Sequence, residues 1–377
     1  MSYPIDNSIF LLKRWGCRFL SALVLTLSGG ALAGQSTSIG VSYAAESPHF
    51  RIVAASRAGG VVEKTAEKIL RRLEIARAAL IALHGENWVA EGVLHVWLPE
   101  NSRAFRKIVD MDYERGIFVS GPRLNWIAID PDAAQPDEIV VHEYLHAVLH
   151  KLYPQLPRWI EEGVCEYYAA LRYVNKAGKT FLETGVAPGN RLLVLRRSGG
   201  WDVKRLAGKD FPAEAYAWAW AHIHLALRNQ ELGALLKDPA SVNWARPYAE
   251  EEFPATLRPA VAPPQFVIQR LDVARAAELR ALAVAAFETS PGAAPGEALF
   301  LEGFRLLDDG KAAAARPLLE EALRASPSQS SWWLTLANAY SELNLRTLQR
   351  EAINRAIHTS VTIAEKNAAK AAAAALE

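Results

Sequence analysis

The sequence predicts an α+β protein, with strands and helices mixed through its first two thirds and helices alone in its last third. Three observations predict this. Short runs rich in β-forming residues, at 93–98, 116–120 and 126–130, lie between segments of helical periodicity. A spacing of 34 positions recurs near the C-terminus. A length of 377 residues also suffices for two domains, each with its own core.

From the N-terminus, Lys13, Arg14 and Arg18 precede an apolar run at 19–27, and Ala31-Leu32-Ala33 follows before Gly34. That order reads as an export signal over 1–33, placing the mature chain in the periplasm or outside the cell. The alternative is an uncleaved N-terminal segment anchoring the chain to a membrane. Cys17 falls within the signal and Cys165 would remain alone, so no internal disulfide is expected. Cys165 lies in an apolar, aromatic stretch, where a small buried side chain is the expected role. The net charge is +1, with no basic block beyond the N-terminus, which argues against nucleic acid as a partner.

A short strand is expected at 47–54. A helix follows at 62–84, where Ile69, Leu73, Ala76, Leu80 and Leu83 recur every three or four residues and Gly85 supplies a stop. Residues 93–98 alternate as a strand up to Pro99, and a helix begins near Asn101-Ser102, with Ser102 as its cap. Strands at 116–120 and 126–130 are joined through 121–125. One of the two is expected to form an exposed sheet edge able to pair with an extended peptide. The next helix opens at Gln135-Pro136, with proline in its first turn. Another runs from Pro157 to about Ala170. Glycines mark turns from 178 to 200, and an aromatic helix spans 211–227. Five prolines between 247 and 264 read as a linker at 246–265.

A helix is expected at 266–287 as partner or cap of the repeats that follow. Gly303 and Ala337, Leu306 and Tyr340, Leu319 and Ile353, and Ala322 and Ala356 are each 34 positions apart. That is the tetratricopeptide period, so a helical domain is expected over 266–363, offering a surface for a protein partner. The alanine-rich stretch at 364–377 reads as a tail.

The chemistry centres on His142-Glu143-Tyr144-Leu145-His146. Residues four apart share a helix face, so both imidazoles can reach one Zn²⁺, while Glu143 is placed to act as general base. A third ligand is needed, with one position left open. Glu162, sixteen positions after His146, can return on an antiparallel helix; Glu161 is its neighbour and rival. His150 continues the histidine stripe one turn further, about 6 Å along the axis, and reads as a surface or supporting residue. His222, His224, Trp218 and Trp220 read as packing residues.

His142-Glu143-Tyr144-Leu145-His146, followed by Trp159-Ile160-Glu161-Glu162-Gly163, resembles the gluzincin metallopeptidases. The chain is similar, more narrowly, to exported bacterial proteins of the peptidase MA-like group, which carry C-terminal tetratricopeptide repeats. The likeness spans most of residues 46–230 and is sharpest in these two motifs. It implies a gluzincin-type domain at 46–245 with a small mixed sheet, and zinc held by His142, His146 and Glu162. It departs at Glu161, where the family usually has asparagine. The resemblance also implies that Glu166 holds a ligand histidine and that Tyr216 stabilises an oxyanion; a core role for Tyr216 is the alternative. No G-x-M-E-N motif precedes the metal helix, which points to an endopeptidase. The expected function is hydrolysis of peptide or protein substrates. The alternative is a repeat-based interaction scaffold whose zinc domain is structural or weakly active.

Overall fold

The computed structural model describes residues 41–55, 61–90, 93–109, 115–120, 125–186, 191, 193–195, 203–208, 211–227, 231–241, 267–290, 296–361 and 363–376. The expected signal, with Cys17, and the expected linker at 246–265 lie outside the described residues. Among the described residues no helix is long and apolar enough to cross a membrane.

The architecture is α+β. The strand expected at 47–54 is β2 (Phe50–Ala55); a further strand, β1 (Val41–Glu46), precedes it, and the two pair antiparallel around a tight turn. Helix α1 (Val61–His84) carries the chain over to β3 (Leu94–Leu98), which pairs parallel with β2. Helix α2 (Ser102–Val109) follows, then β4 (Gly116–Ser120) and β5 (Asn125–Ile129). Asn101, rather than Ser102, caps α2: its Oδ1 accepts from the Ala104 backbone N–H at 3.0 Å. Ser102 turns its hydroxyl to the buried Asp130 at 2.7 Å instead. The asparagine stands at the spacing from which a side-chain oxygen reaches a free N–H of the first turn.

Helices α3 (Pro136–Leu152) and α4 (Arg158–Ala169) come next. The glycine-punctuated stretch after them holds a hairpin, β6 (Arg172–Lys176) and β7 (Lys179–Thr184), a short helix α5 (Val203–Leu206), then α6 (Ala213–Ala226) and α7 (Leu232–Lys237). The helix expected from Phe266 begins only at Val273. Before it, β8 (Val267–Arg270) pairs with β7. Helix α8 (Val273–Val284) packs on α1, and β9 (Glu288–Ser290) pairs with β1. This segment therefore completes the sheet region before the helical array starts. The large sheet runs β4-β5-β3-β2-β1-β9, with β4 at one edge.

The array consists of α9 (Glu297–Asp308), α10 (Ala312–Ala325), α11 (Ser330–Glu342), α12 (Arg346–Thr359) and α13 (Ile363–Ala374), each packed on the next. The 34-residue spacing places Leu319 and Ile353, and Ala322 and Ala356, at equivalent buried positions on α10 and α12. The expected tail is α13, whose Ala369 is fully buried.

Side-chain alternation along the strands divides the interior in two. Ile52, Ala54, Val96, Leu98, Ile127 and Ile129 pack with α1, α3, α4 and α6. Val53, Trp97, Trp126 and Ala128 pack with the helical array. The array thus covers the second face of the sheet, and a bidentate pair between Arg51 of β2 and Glu297 of α9, 2.7 Å in both contacts, ties the two together.

Candidate metal centre

Helix α3 stands on the sheet through Val140, Val141, Tyr144, Leu145 and Val148, which face the first core. That contact turns the intervening face, with His142, Glu143 and His146, toward α4. Helix α4 returns antiparallel after the turn through Pro154 and Pro157 and lies along α3. Two glycines make the close approaches. A Cβ on Gly163 would meet the Ala219 carbonyl oxygen at 2.6 Å, so α4 and α6 touch backbone to backbone. A Cβ on Gly116 would meet the Ile139 side chain and, at 2.8 Å, Glu143 Oε1, so the edge strand β4 lies directly against the Glu143 carboxylate.

Three atoms converge between the helices. His142 Nε2 and His146 Nε2 are 3.2 Å apart, and Glu162 Oε2 lies 3.2 Å from the first and 3.4 Å from the second. An ion bound tetrahedrally at about 2.0–2.1 Å requires ligand atoms roughly 3.3–3.4 Å apart. The triangle fits that requirement, so the residues present suit a metal ion. The far nitrogens are engaged elsewhere. His146 Nδ1 contacts Glu161 Oε1 at 2.6 Å, and His142 Nδ1 lies 3.5 Å from Glu166 Oε1. A carboxylate on Nδ1 keeps the proton there and leaves the Nε2 lone pair facing inward, which is the tautomer a metal ligand needs.

Two further groupings have ligand atoms close enough for an ion: His142 with His146 and Cys165, and His146 with His150 and Glu161. Cys165 is fully buried, and burial pushes its thiol up to about 12. Glu162 Oε2 lies within 3.4 Å of both imidazole nitrogens and is ionised, so it offers the charged third donor of the first set. Burial opposes the charged form of His142, yet the Glu162 contact and the nearby Glu143 and Glu166 raise its pKa. Burial likewise disfavours charge on Glu161, but His146 and His150 pull it down to about 2. Glu162 is lowered by His146 and His142, against the same desolvation. The centre is a set of ionised carboxylates facing imidazoles that hold protons readily, so a cation arriving there displaces protons.

Two arginines complete the wall. Arg191 clasps Glu166 with two contacts of 2.9 and 2.6 Å, and its guanidinium lies 5.2 Å from the Tyr216 ring centre. Arg158 bonds Tyr216 and lies 3.5 Å from Glu162 Oε1, the oxygen turned away from the histidines. Tyr216 sits half-buried with its ring 6.3 Å from that of His142. Expected site residues His142, Glu143, His146, Glu162, Glu166 and Tyr216 are therefore all brought together. His150 stands outside the triangle, its Nε2 3.0 Å from Glu161. His222, His224, Trp218 and Trp220 are buried.

Sequence reasoning missed three residues. Glu161 reads along the chain as a rival ligand, but it holds the back of His146; only the facing of two antiparallel helices reveals this. Arg191 and Arg158 carry no motif that marks them. No protein-family model matches the chain, and no curated protein matches it either.

Proposed function

We propose that this chain is an exported zinc-dependent metallopeptidase of gluzincin type, followed by tetratricopeptide-like repeats. The observation that carries the reading is the triangle of His142 Nε2, His146 Nε2 and Glu162 Oε2, with a carboxylate behind each imidazole. Two imidazoles and one carboxylate form a donor set that suits zinc and leaves a fourth position open. When bound, zinc supplies Lewis acidity and makes water acidic enough to ionise near neutral pH.

The chain's own residues supply the remainder. Glu143 follows His142 on α3, is buried, and lies against β4. It takes the proton of the attacking water and delivers it to the departing amine. The outer edge of β4, which no other described strand pairs, offers main-chain groups to an extended peptide and sets the scissile bond beside Glu143. Tyr216, held by Arg158 and Arg191, donates its hydroxyl proton toward the oxyanion that develops on the carbonyl. Arg158 holds the outer oxygen of Glu162, which leaves the inner oxygen for the ion. The leader-like residues 1–33 support export.

The test is metal analysis and peptide cleavage on the wild-type chain and on Glu143→Gln. The reading expects one tightly held zinc in both and a loss of roughly 10²–10⁴-fold in kcat in the variant. Absence of zinc from both proteins, or an undiminished rate in the variant, overturns it.

A further inference from the structure

At the C-terminal end of α3 a second set of donors adjoins the first. His150 lies one helical turn beyond His146 and does nothing in the mechanism above. Its Nε2 is 3.0 Å from Glu161 Oε1, and the same oxygen takes His146 Nδ1 at 2.6 Å. The ligand atoms of His146, His150 and Glu161 all lie within 4.8 Å of one another. The His150 ring is fixed by edge-on packing against Phe118 of β4, with centroids 5.5 Å apart. Its side chain remains 48% exposed, so an ion can reach it from solvent without entering the first site.

We propose that His150 and Glu161 form a second, weaker site for a divalent transition ion, and that an ion bound there loosens the first site by drawing Glu161 away from His146. An imidazole with a carboxylate selects zinc-like ions over calcium or magnesium, which prefer oxygen ligands throughout. His146 is not shared: while its Nε2 serves the first ion, its Nδ1 keeps a proton. The second ion therefore has two protein ligands and completes its shell with water, so it binds more weakly than an ion with three. Glu161 Oε1 cannot face a cation and the His146 N–H equally. Losing that support weakens a metal-ligating histidine by about 10–100-fold in affinity or activity. Excess zinc thus inhibits.

The loosening rests on the metallopeptidase reading; the second site itself does not. Equilibrium dialysis of the full chain against rising free zinc, with bound metal counted, separates the two. Two steps are expected in the wild type. His150→Gln should lose the second step and keep the first unchanged, and Glu161→Gln should lose the second and weaken the first by about 10–100-fold. In peptide cleavage, excess zinc should inhibit the wild type and spare His150→Gln. A single step in the wild type, or a second step that survives unaltered in His150→Gln, overturns the proposal. A weak, His150-dependent step with no tight one would keep the second site and sink the peptidase reading, together with the loosening. Two steps with no peptide cleavage would leave the second site standing alone.

Discussion

The two faces of the six-stranded sheet are covered by helices of opposite character. The helices on one face bury Glu143, Glu162 and Glu166 along with His222 and His224. The helices of the array on the other bury mainly apolar side chains, with one paired carboxylate, Glu297, and a few hydroxyls that find partners close by. Ser330 Oγ, for example, donates to the Ala356 carbonyl at 3.0 Å, and Thr335 Oγ1 to that of Ser331 at 3.1 Å. A buried carboxylate is unfavourable by several kcal/mol unless it is paired, and well-packed apolar residues of the same volume would usually be at least as stable. The first face gathers three buried carboxylates around a pair of histidines, whereas the buried carboxylate of the second, Glu297, is matched by a single arginine of the sheet.

The sharpest way to break this contrast is through Glu166 and Arg191. Glu166→Gln leaves a largely buried guanidinium without its carboxylate, and should destabilise by about 3–5 kcal/mol in denaturant unfolding. Replacing both, Glu166→Gln with Arg191→Leu, should recover most of that stability while zinc affinity stays about 10–100-fold below wild type. A double variant with wild-type affinity would show that the pair is there for stability after all. On the opposite face, Leu319 is fully buried and lies 2.8 Å from where a Cβ on Gly303 would stand. Leu319→Ala should cost about 2–5 kcal/mol. Metal content of the folded variant should be unchanged, since no ligand touches the cavity; a loss of zinc binding at constant fold would mean the two faces are coupled.

The same contrast explains what the sequence disclosed. Residues close in sequence gave up their geometry: the i, i+4 pair of His142 and His146, the proline at the start of α3, and the 34-residue spacing of Leu319 and Ile353. Relations formed across the fold did not. The array's seat on the sheet depends on Val53, Trp97 and Ala128, whose strands look alike whichever face is covered. Glu161 gains its role only when α3 and α4 lie side by side. The β6–β7 hairpin turns through Ala177 at φ 49° and Gly178 at φ 74°. Gly178 marks the turn in the sequence, but asparagine or aspartate before glycine is what usually announces a hairpin, and alanine there leaves the two strands unannounced.

His84 sharpens the comparison from a third direction, because it belongs to the first face yet has no carboxylate. Its Nε2 lies 2.9 Å from the Tyr168 hydroxyl of α4, and its ring packs on Trp88 with centroids 4.3 Å apart. Burial alone pushes its pKa down to about 4. In the unfolded chain the same imidazole takes up a proton near 6.5. Between those values the unfolded state binds more protons, so stability rises with pH across the window and falls as pH drops from about 6.5 toward 4. The loss is at most about 3 kcal/mol, and less to the extent that water reaches the ring. His84→Gln keeps a partner for Tyr168 and removes the titration. The gap in unfolding free energy between wild type and variant should therefore narrow, or reverse, as the buffer is taken from pH 7 to pH 4. A constant gap would mean that His84 takes up its proton in the fold at the same pH as in the unfolded chain, and that this face tolerates an isolated cation as readily as a paired one.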